Sequence, residues 1–245
     1  MLPTTQVSLP RIKWKPWPRN AAGRRSPARS LMAAMVGVFL MAALFQAPAA
    51  SASGPVRIVA FGDSLTAGFG LPPGDDFASR LEAALKKRGH DVAVTNAGVS
   101  GDTTAGGRAR FDWAVSEDTD AVILELGAND VLRGIPPKTT RANLDDILAR
   151  LEKRNIPVLV AGMRALANWG PDYAKDFEAI FPELSEKYGA VYYPFFMEGV
   201  IDKPELKLPD ALHPNREGVE EIVRRIVPAV EKLIARARKP PRKAP

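Results

Sequence analysis

Five short apolar segments alternate with longer segments of helical periodicity over most of the sequence. The apolar segments are VRIVAF, DVAVTNAG, AVILELG, PVLVAGM and AVYYPF, at residues 56–61, 91–98, 121–127, 157–163 and 190–195. Near-continuous apolar strands that are separated by helices are typical of a parallel sheet buried on both faces. The pattern therefore predicts a three-layer α/β/α domain with a five-stranded parallel sheet.

Four helices are predicted between and after these strands. They lie at residues 75–89, 139–155, 171–189 and 216–235, and the last contains Pro228, where we expect a kink. No linker or internal repeat divides the chain, so residues 54–235 are predicted to form one domain. The sequence contains no cysteine, which excludes a disulfide framework and makes stability depend on the core.

The first 53 residues have the pattern of a secretory signal peptide. Residues 1–30 contain seven basic residues and no acidic one, an apolar run follows at residues 31–45, and QAPAASAS offers small-x-small cleavage sites. The apolar run is shorter than the roughly 20 residues that a membrane span needs, although an uncleaved anchor is the alternative. The sequence therefore predicts export, to the periplasm or out of the cell.

The basic charge is concentrated at the two ends of the chain. The formal net charge of +6 falls to −1 without the seven bases of residues 1–53, and to −6 without the five further bases of residues 236–245. A nucleic-acid-binding protein needs a basic surface on its folded body, so that class is excluded. The tail at residues 236–245 is predicted to be disordered, with at most a weak contact to anionic lipid.

Small polar residues follow four of the predicted strands. GDS follows the first strand, NAGVSGDT belongs to the end of the second, GAND follows the third and MRALANW the fourth. Ligands of open α/β sheets bind at the carboxyl ends of the strands. These residue types are also ordinary turn formers, but four such segments at one edge of the sheet favour a functional site there.

Ser64 follows the first strand and is a candidate nucleophile. A hydroxyl nucleophile needs a base, and histidine suits that role at neutral pH. Of the two histidines, His90 is expected on the surface at the amino end of the second strand, whereas His213 follows Asp210 by three residues. This spacing can place the carboxylate on Nδ1 with Nε2 facing outward. Alternatively, Asp210 is only a turn residue and His213 only begins a helix.

Metal chemistry and the α/β-hydrolase fold are both disfavoured. With two histidines, no cysteine and no cluster of carboxylates beside His213, the sequence cannot assemble a zinc site of ordinary ligand count. Ser64 stands in GDSLT rather than in G-x-S-x-G, the nucleophile elbow of the α/β-hydrolases. No metal and no cofactor are expected.

Four segments together resemble the consensus blocks of the GDSL, or SGNH, hydrolases. They are AFGDSLTAG, NAGVSGDTT, ELGANDVLRG and DALHPNREG, in the family's order and spacing, and the similarity extends from residue 56 to the end of the last helix. The strings ELGANDVLRGIPP, NWGPDYAKDFEAIFPEL and PFFMEGV are similar to the periplasmic branch of multifunctional acyl-CoA thioesterases, lysophospholipases and arylesterases. The resemblance implies a flavodoxin-like fold.

The resemblance also implies hydrolysis of an ester or thioester through an acyl-enzyme. Ser64 would be the nucleophile, His213 the general base and Asp210 its orienting partner. The N–H groups of Ser64 and Gly98 and the side-chain amide of Asn129 would stabilise the oxyanion.

Apolar side chains near the strand ends indicate a groove for an acyl chain. The candidate substrate-binding residues are Leu132, Ile135, Trp169 and Tyr173, and Phe195, Phe196 and Met197 lie close by in sequence. Core packing is the favoured interpretation for Phe195 and Phe196. We expect a monomer that acts on a small-molecule acyl ester or thioester. A carbohydrate O-acetyl esterase or transacylase and a non-catalytic small-ligand-binding module are the alternatives.

Overall fold

A five-stranded parallel sheet forms the centre of the protein. The computed structural model describes residues 54–165 and 167–238, together with residue 15. The strands are β1 (Val56–Gly62), β2 (Val92–Gly98), β3 (Ala121–Glu125), β4 (Val158–Ala161) and β5 (Val191–Tyr193), and their order is β2-β1-β3-β4-β5. All five predicted strands are confirmed, each within about two residues of its expected bounds.

Eight α-helices connect the strands and cover the sheet within the described residues. They are α1 (Ser64–Ala67), α2 (Phe77–Lys87), α3 (Thr104–Ala114), α4 (Ala128–Leu132), α5 (Pro137–Lys153), α6 (Pro171–Glu178), α7 (Ile180–Lys187) and α8 (Arg216–Ala237). Short 3-10 helices lie at Ala167–Trp169 and Pro204–Leu206. Helix α2 packs against α8, and α3 packs against α5 on the other face of the sheet. The predicted three-layer, flavodoxin-like architecture is confirmed.

The direction of the chain through the sheet reverses at β1. The connection from β1 to β2 runs one way across the sheet, and the connections from β2 through β5 run the other way. Because each connection is right-handed, the helices that follow the two directions pack on opposite faces of the sheet. The loops after β1 and β3 therefore diverge at the carboxyl edge of the sheet. Gly62 in β1 and Glu125 in β3 are register partners at that edge, and the fold therefore predicts a crevice directly beyond them.

The core fills both faces of the two central strands. Every residue of β3 is buried, and so is every residue of β1 except Arg57. Six phenylalanine rings are fully buried around them, namely Phe61, Phe77, Phe111, Phe177, Phe181 and Phe196. Burial of this extent is what a domain without disulfides requires.

One predicted helix is divided in two. The prediction of a single helix over residues 171–189 is wrong, because α6 ends at Glu178 and α7 begins at Ile180. Pro182 explains the break: it has no N–H to donate to the Glu178 carbonyl, and its ring crowds that carbonyl.

Three helices are not predicted from the sequence, and a fourth helix is longer than predicted. Helices α1 and α4 have only four and five residues, and α3 contains Gly106 and Gly107, which weaken its helical pattern. The last helix, α8, begins at Arg216 as predicted and runs through Pro228 to Ala237, two residues into the predicted tail.

The ends of the chain lie largely outside the described residues. The predicted signal peptide at residues 1–53 does so apart from residue 15, and residues 239–245 of the predicted tail do so as well. Within the part of the chain that the structure describes, no helix is both long enough and apolar enough to cross a membrane.

Gly218, in the first turn of α8, should not tolerate a side chain. Its N–H donates to Oδ1 of Asn215, the N-cap, and a Cβ would lie 2.2 Å from the carbonyl oxygen of Leu206. We predict that Gly218→Ala lowers the free energy of unfolding by about 1 to 3 kcal/mol, although alanine gains about 1 kcal/mol in helix propensity. The midpoint of urea unfolding measures the change.

The matched control is Lys232→Ala on the exposed side of the same helix. It should change the free energy of unfolding by less than about 0.5 kcal/mol. A Gly218→Ala variant as stable as the wild type would contradict the close packing of α8 on Leu206.

Candidate active site

Ser64, His213 and Asp210 form one row of hydrogen bonds. Oγ of Ser64 is 2.9 Å from Nε2 of His213, and Nδ1 of His213 is 2.7 Å from Oδ2 of Asp210. Ser64 is the first residue of α1, directly after the N-cap that follows β1, and is only 9% exposed. The fold therefore brings together the three residues predicted from spacing, in a geometry that lets the imidazole accept the serine proton.

A tight loop between α8 and the preceding 3-10 helix carries the acid and the base. Lys207 and Pro214 pair as an antiparallel bridge, and the N–H of Leu208 donates to the carbonyl of His213 at 2.8 Å. Ala211 turns the chain in the left-handed region, with φ of 59°. These contacts close the loop on itself, so the acid and the base keep a fixed separation.

Asp210 is held by the backbone of its own loop. Its Oδ1 accepts the N–H groups of Leu212 at 2.9 Å and of His213 at 3.0 Å. The N–H of His213, the N–H of Leu212 and the imidazole together lower the pKa of Asp210 to about 2, so the group is ionised at neutral pH. An ionised carboxylate only accepts, which places the imidazole proton on Nδ1 and leaves the Nε2 lone pair facing Ser64.

Two of the three predicted oxyanion donors lie at the site, and the third does not. The N–H of Ser64 lies at the N-terminus of α1, and Asn129 of α4 lines the adjoining cavity. The N–H of Gly98 instead donates to Oδ1 of Asn96 at 2.9 Å, and Gly98 does not line the cavity. The role predicted for Gly98 is corrected, because its donor is already engaged beside β2.

Gly101 is the glycine that lines the cavity in this segment. Its N–H donates to no acceptor among the described residues, while its carbonyl accepts a hydrogen bond from Nη2 of Arg133 at 2.8 Å. With φ of 84°, the residue adopts a left-handed conformation that favours glycine. Gly101 therefore offers the backbone donor that the family resemblance assigns to Gly98.

Two buried carboxyl groups lie behind the end of β1. Asp63 caps α1: its Oδ1 accepts the N–H of Leu65 at 3.0 Å, and its Oδ2 accepts Nδ2 of Asn129 at 3.2 Å. Oε2 of Glu125 accepts the N–H of Asp63 at 3.3 Å and the hydroxyl of Thr66 at 2.7 Å. Oε1 of Glu125 is buried and has no partner among the described residues.

Burial raises the pKa of both carboxyl groups. Desolvation raises the pKa of Asp63 to about 6, against the hydrogen bonds from Leu65 and Asn129, which lower it. Desolvation, and then the charge of Asp63, raise the pKa of Glu125 well above its ordinary value. Each of the two carboxyl groups therefore keeps its proton to a higher pH than an exposed carboxyl group does, and one oxygen of Glu125 has no donor that would stabilise the charged form.

A cavity of about 440 Å³ opens beside Ser64 and His213. Arg164 and Asp202 are the charged residues among those that line it. The larger apolar residues of the wall are Leu65, Phe69, Val131, Leu132, Met163, Phe195, Met197, Ile201 and Leu212. A wall of this composition suits an apolar ligand that a few polar groups orient.

Of the four predicted substrate-binding residues, only Leu132 lines the cavity. Nε1 of Trp169 donates to the Val131 carbonyl at 2.7 Å, and the hydroxyl of Tyr173 donates to the Ile135 carbonyl at 2.8 Å. Trp169, Tyr173 and Ile135 thus support the segment that carries Leu132 and do not form the wall. Their predicted role is corrected accordingly.

The adjacent residues Phe195 and Phe196 point to different environments. Phe196 is fully buried, with its ring centroid 5.0 Å from that of Phe77, as core packing predicts. Phe195 lines the cavity together with Met197, and the guanidinium of Arg164 lies 4.6 Å from its ring centroid. Phe195 is only 6% exposed and belongs to the core as predicted, and its ring also forms part of the cavity wall.

Phe69 is a site residue that the sequence reasoning missed. It lines the cavity, and its ring centroid lies 4.5 Å from that of the His213 imidazole, so the ring packs on the base. The signal was present in the sequence, because Phe69 stands between Gly68 and Gly70, both with positive φ.

The other histidine lies elsewhere. His90 precedes β2, and its Nε2 is 3.0 Å from Oε1 of Glu231 in α8. It is therefore at the amino end of β2, whereas Ser64 lies beyond the carboxyl end of β1. The prediction that His90 stands apart from the site agrees with this placement.

Known proteins of one family match this chain. The profile of the GDSL-like Lipase/Acylhydrolase family matches residues 60–220. An arylesterase of Vibrio mimicus is 39% identical over 175 residues, which cover 71% of this chain and 88% of the relative. Thioesterase 1/protease 1/lysophospholipase L1 of Escherichia coli (strain K12) is 34% identical over 181 residues, which cover 74% and 83%.

Solved structures match the same region. AlinE4, described as an SGNH-hydrolase family esterase, is 46% identical with a TM-score of 0.62, and the match covers 73% of this chain and 96% of that one. The structure of TesA is 30% identical with a TM-score of 0.68, and covers 72% and 99%. The match to each protein spans nearly its whole length, so it concerns the complete domain.

The buried Glu125 should make stability depend on pH. Because its pKa is higher in the folded chain, the folded state keeps a proton that the unfolded state releases, and the free energy of unfolding falls as pH rises above about 4.5. Glu125→Gln removes this titration and keeps an oxygen for both hydrogen bonds. We predict that this variant gains stability relative to the wild type as pH rises above about 4.5, measured by urea unfolding at a series of pH values.

Glu152→Gln, on the exposed side of α5, controls for the loss of one acidic residue. Its stability relative to the wild type should stay level over the same pH range. A constant difference between the Glu125→Gln variant and the wild type at every pH would contradict a raised pKa at Glu125.

Proposed function

The chain belongs to the GDSL-like lipase/acylhydrolase family, the SGNH hydrolases, and we propose that it hydrolyses carboxylic esters through an acyl-enzyme on Ser64. The observation that carries this mechanism is the row of hydrogen bonds from Asp210 through His213 to Ser64. It links an ionised acid, a base and a hydroxyl in the order that general-base activation requires.

His213 is the general base of the first half-reaction. Its Nε2 takes the proton of the Ser64 hydroxyl while Oγ attacks the carbonyl carbon of the ester. The tetrahedral intermediate then breaks its bond to the leaving group, which receives that proton from Nε2. Asp210 remains ionised throughout and stabilises the imidazolium.

Water completes the cycle. A water molecule gives a proton to Nε2 of His213 as its oxygen attacks the acyl carbon. The second tetrahedral intermediate breaks its bond to Oγ of Ser64, which takes the proton back, and the carboxylic acid leaves. One ester and one water thus give one acid and one alcohol, with the enzyme unchanged.

Three donors stabilise the negative charge that develops on the carbonyl oxygen. They are the N–H groups of Ser64 and Gly101 and the side-chain amide of Asn129. All three residues line the cavity, where water is partly excluded and hydrogen bonds to an anion are strong. One such donor contributes about 3 to 4 kcal/mol to the transition state.

The cavity supports a substrate with an apolar acyl group. Its wall is mostly apolar, and relatives carry the names arylesterase and thioesterase/lysophospholipase. We infer that aryl esters, lysophospholipids and acyl thioesters are the substrate classes, with esters preferred because CoA thioesters belong to the cytoplasm. An acetyl-specific carbohydrate esterase is not favoured, since an acetyl group would leave most of this wall uncovered.

We infer also that the protein is exported and acts as a monomer. The signal-like pattern of residues 1–53 supports export, and the mature body carries net negative charge. Residues 54–235 form the catalytic domain in this proposal, and the basic residues beyond it contribute at most a weak contact with anionic lipid.

Loss of the nucleophile or of one oxyanion donor tests the mechanism. We expect Ser64→Ala to abolish hydrolysis of p-nitrophenyl octanoate. We expect Asn129→Ala to lower kcat about 100- to 1000-fold with KM nearly unchanged, because the amide stabilises the transition state and not the bound substrate. Initial rates measure both. Ser116→Ala, at an exposed serine, is the control, and an Asn129→Ala variant that changes only KM would contradict the oxyanion role.

A charge placed in the cavity wall tests the acyl site. We expect Leu132→Asp to lower kcat/KM for p-nitrophenyl octanoate about tenfold more than for the acetate, because the longer chain loses apolar contacts. Val99→Asp is the matched control, since both residues are 40% exposed and only Leu132 lines the cavity. Equal losses for the two esters would show that the acyl chain lies elsewhere.

A further inference from the structure

Asp63 connects the nucleophile to the oxyanion donor. It directly precedes Ser64 in the chain, and its Oδ2 accepts Nδ2 of Asn129 in α4 at 3.2 Å. Its Oδ1 accepts the N–H of Leu65 at 3.0 Å. The side chain is wholly buried, so each oxygen has a protein donor in place of water.

A carboxylate in this position fixes which way the neighbouring amide points. Because a carboxylate accepts hydrogen bonds and cannot donate, Nδ2 of Asn129 must face Asp63 and Oδ1 must face away. One N–H of Nδ2 is used by Asp63, and the second stays free to donate into the cavity that Asn129 lines. With the amide reversed, a carbonyl oxygen would occupy the donor's place and repel an oxyanion.

We propose that Asp63 is a positioning residue that holds the side-chain amide of Asn129 in the orientation that donates to the oxyanion. The proposal rests on the proposed function, in which Asn129 is an oxyanion donor. Asp63 touches no reacting atom, so its positioning effect on the oxyanion donor passes through Asn129.

Helix capping alone does not account for this residue. Serine, threonine and asparagine also cap helices well, and a buried carboxylate is costly unless its hydrogen bonds are satisfied. The cap uses only Oδ1. The second oxygen, Oδ2, accepts Nδ2 of Asn129.

The Asp63→Asn substitution tests whether both side-chain oxygens of Asp63 are needed as hydrogen-bond acceptors. Asparagine has the same shape but only one acceptor oxygen, so it cannot accept from both Leu65 and Asn129. If its oxygen keeps the helix cap, its NH2 group faces Asn129 and drives that amide to reverse. If its oxygen faces Asn129 instead, the cap of α1 is lost.

The experiment is a double-mutant cycle with Asp63→Asn and Asn129→Ala in the full chain. Rates of p-nitrophenyl octanoate hydrolysis are measured at about pH 8, where Asp63 is ionised because its pKa is about 6. We expect Asp63→Asn to lower kcat about 10- to 100-fold, part of the effect of losing one donor, with KM within about twofold. In the Asn129→Ala background the same change should lower kcat less than about twofold.

Two further variants separate positioning from folding. Asp63→Ser keeps a capping oxygen for Leu65 but is too short to reach Asn129, so it should lower kcat as Asp63→Asn does while α1 stays capped. Asp76→Asn is the matched control: Asp76 caps α2 and accepts Nδ2 of Asn96 at 2.9 Å, but does not line the cavity. It should leave kcat unchanged, and urea unfolding reports the stability of every variant.

The outcomes distinguish this proposal from the function on which it rests. If Ser64→Ala or Asn129→Ala hydrolyses the ester at the wild-type rate, the proposed function fails. If Asn129→Ala is slow while Asp63→Asn and Asp63→Ser are as fast as the wild type, only the positioning role fails. Independent effects of Asp63→Asn and Asn129→Ala, which multiply in the double variant, also overturn it.

Discussion

The pairing of β1 with β3 places Gly62 opposite Glu125, and the geometry of the site depends on that register. A Cβ at Gly62 would lie 2.1 Å from Oγ1 of Thr66 and 2.5 Å from Oε2 of Glu125, so only glycine permits this approach. The carboxyl of Glu125 can therefore reach the N–H of Asp63. Two adjacent strands, rather than flexible loops, thus set the distance between the nucleophile and the oxyanion donor.

The parts of the site that local spacing determines could be predicted from the sequence. Asp210 and His213 are three residues apart in one closed loop, so their contact follows from geometry that the sequence displays. Ser64 required one further rule, that the carboxyl ends of parallel strands share an edge, and the apolar strands were clear enough to apply it. The five strands and their layers were predictable for the same reason.

Contacts between distant side chains were not predictable in this way. Gly98 and Gly101 stand in the same short segment, and what separates them is that the side chain of Asn96 occupies the N–H of Gly98. The indole N–H of Trp169 donates to the Val131 carbonyl, so Trp169 does not line the cavity as predicted, whereas the Phe69 ring packs on His213. The spacing of apolar residues in a sequence does not show which residue an aromatic ring contacts in the folded protein.

The site draws on parts of the chain that are far apart. Ser64 and His213 are separated by 149 positions, and Asn129 lies between them. Closing so long a loop costs conformational entropy, which the packing of the domain has to offset. The first strand and the last helix must both be docked before the serine meets its base. Catalytic turnover therefore requires that the whole domain is folded. A fragment that lacks the first strand or the last helix cannot bring the reacting groups together.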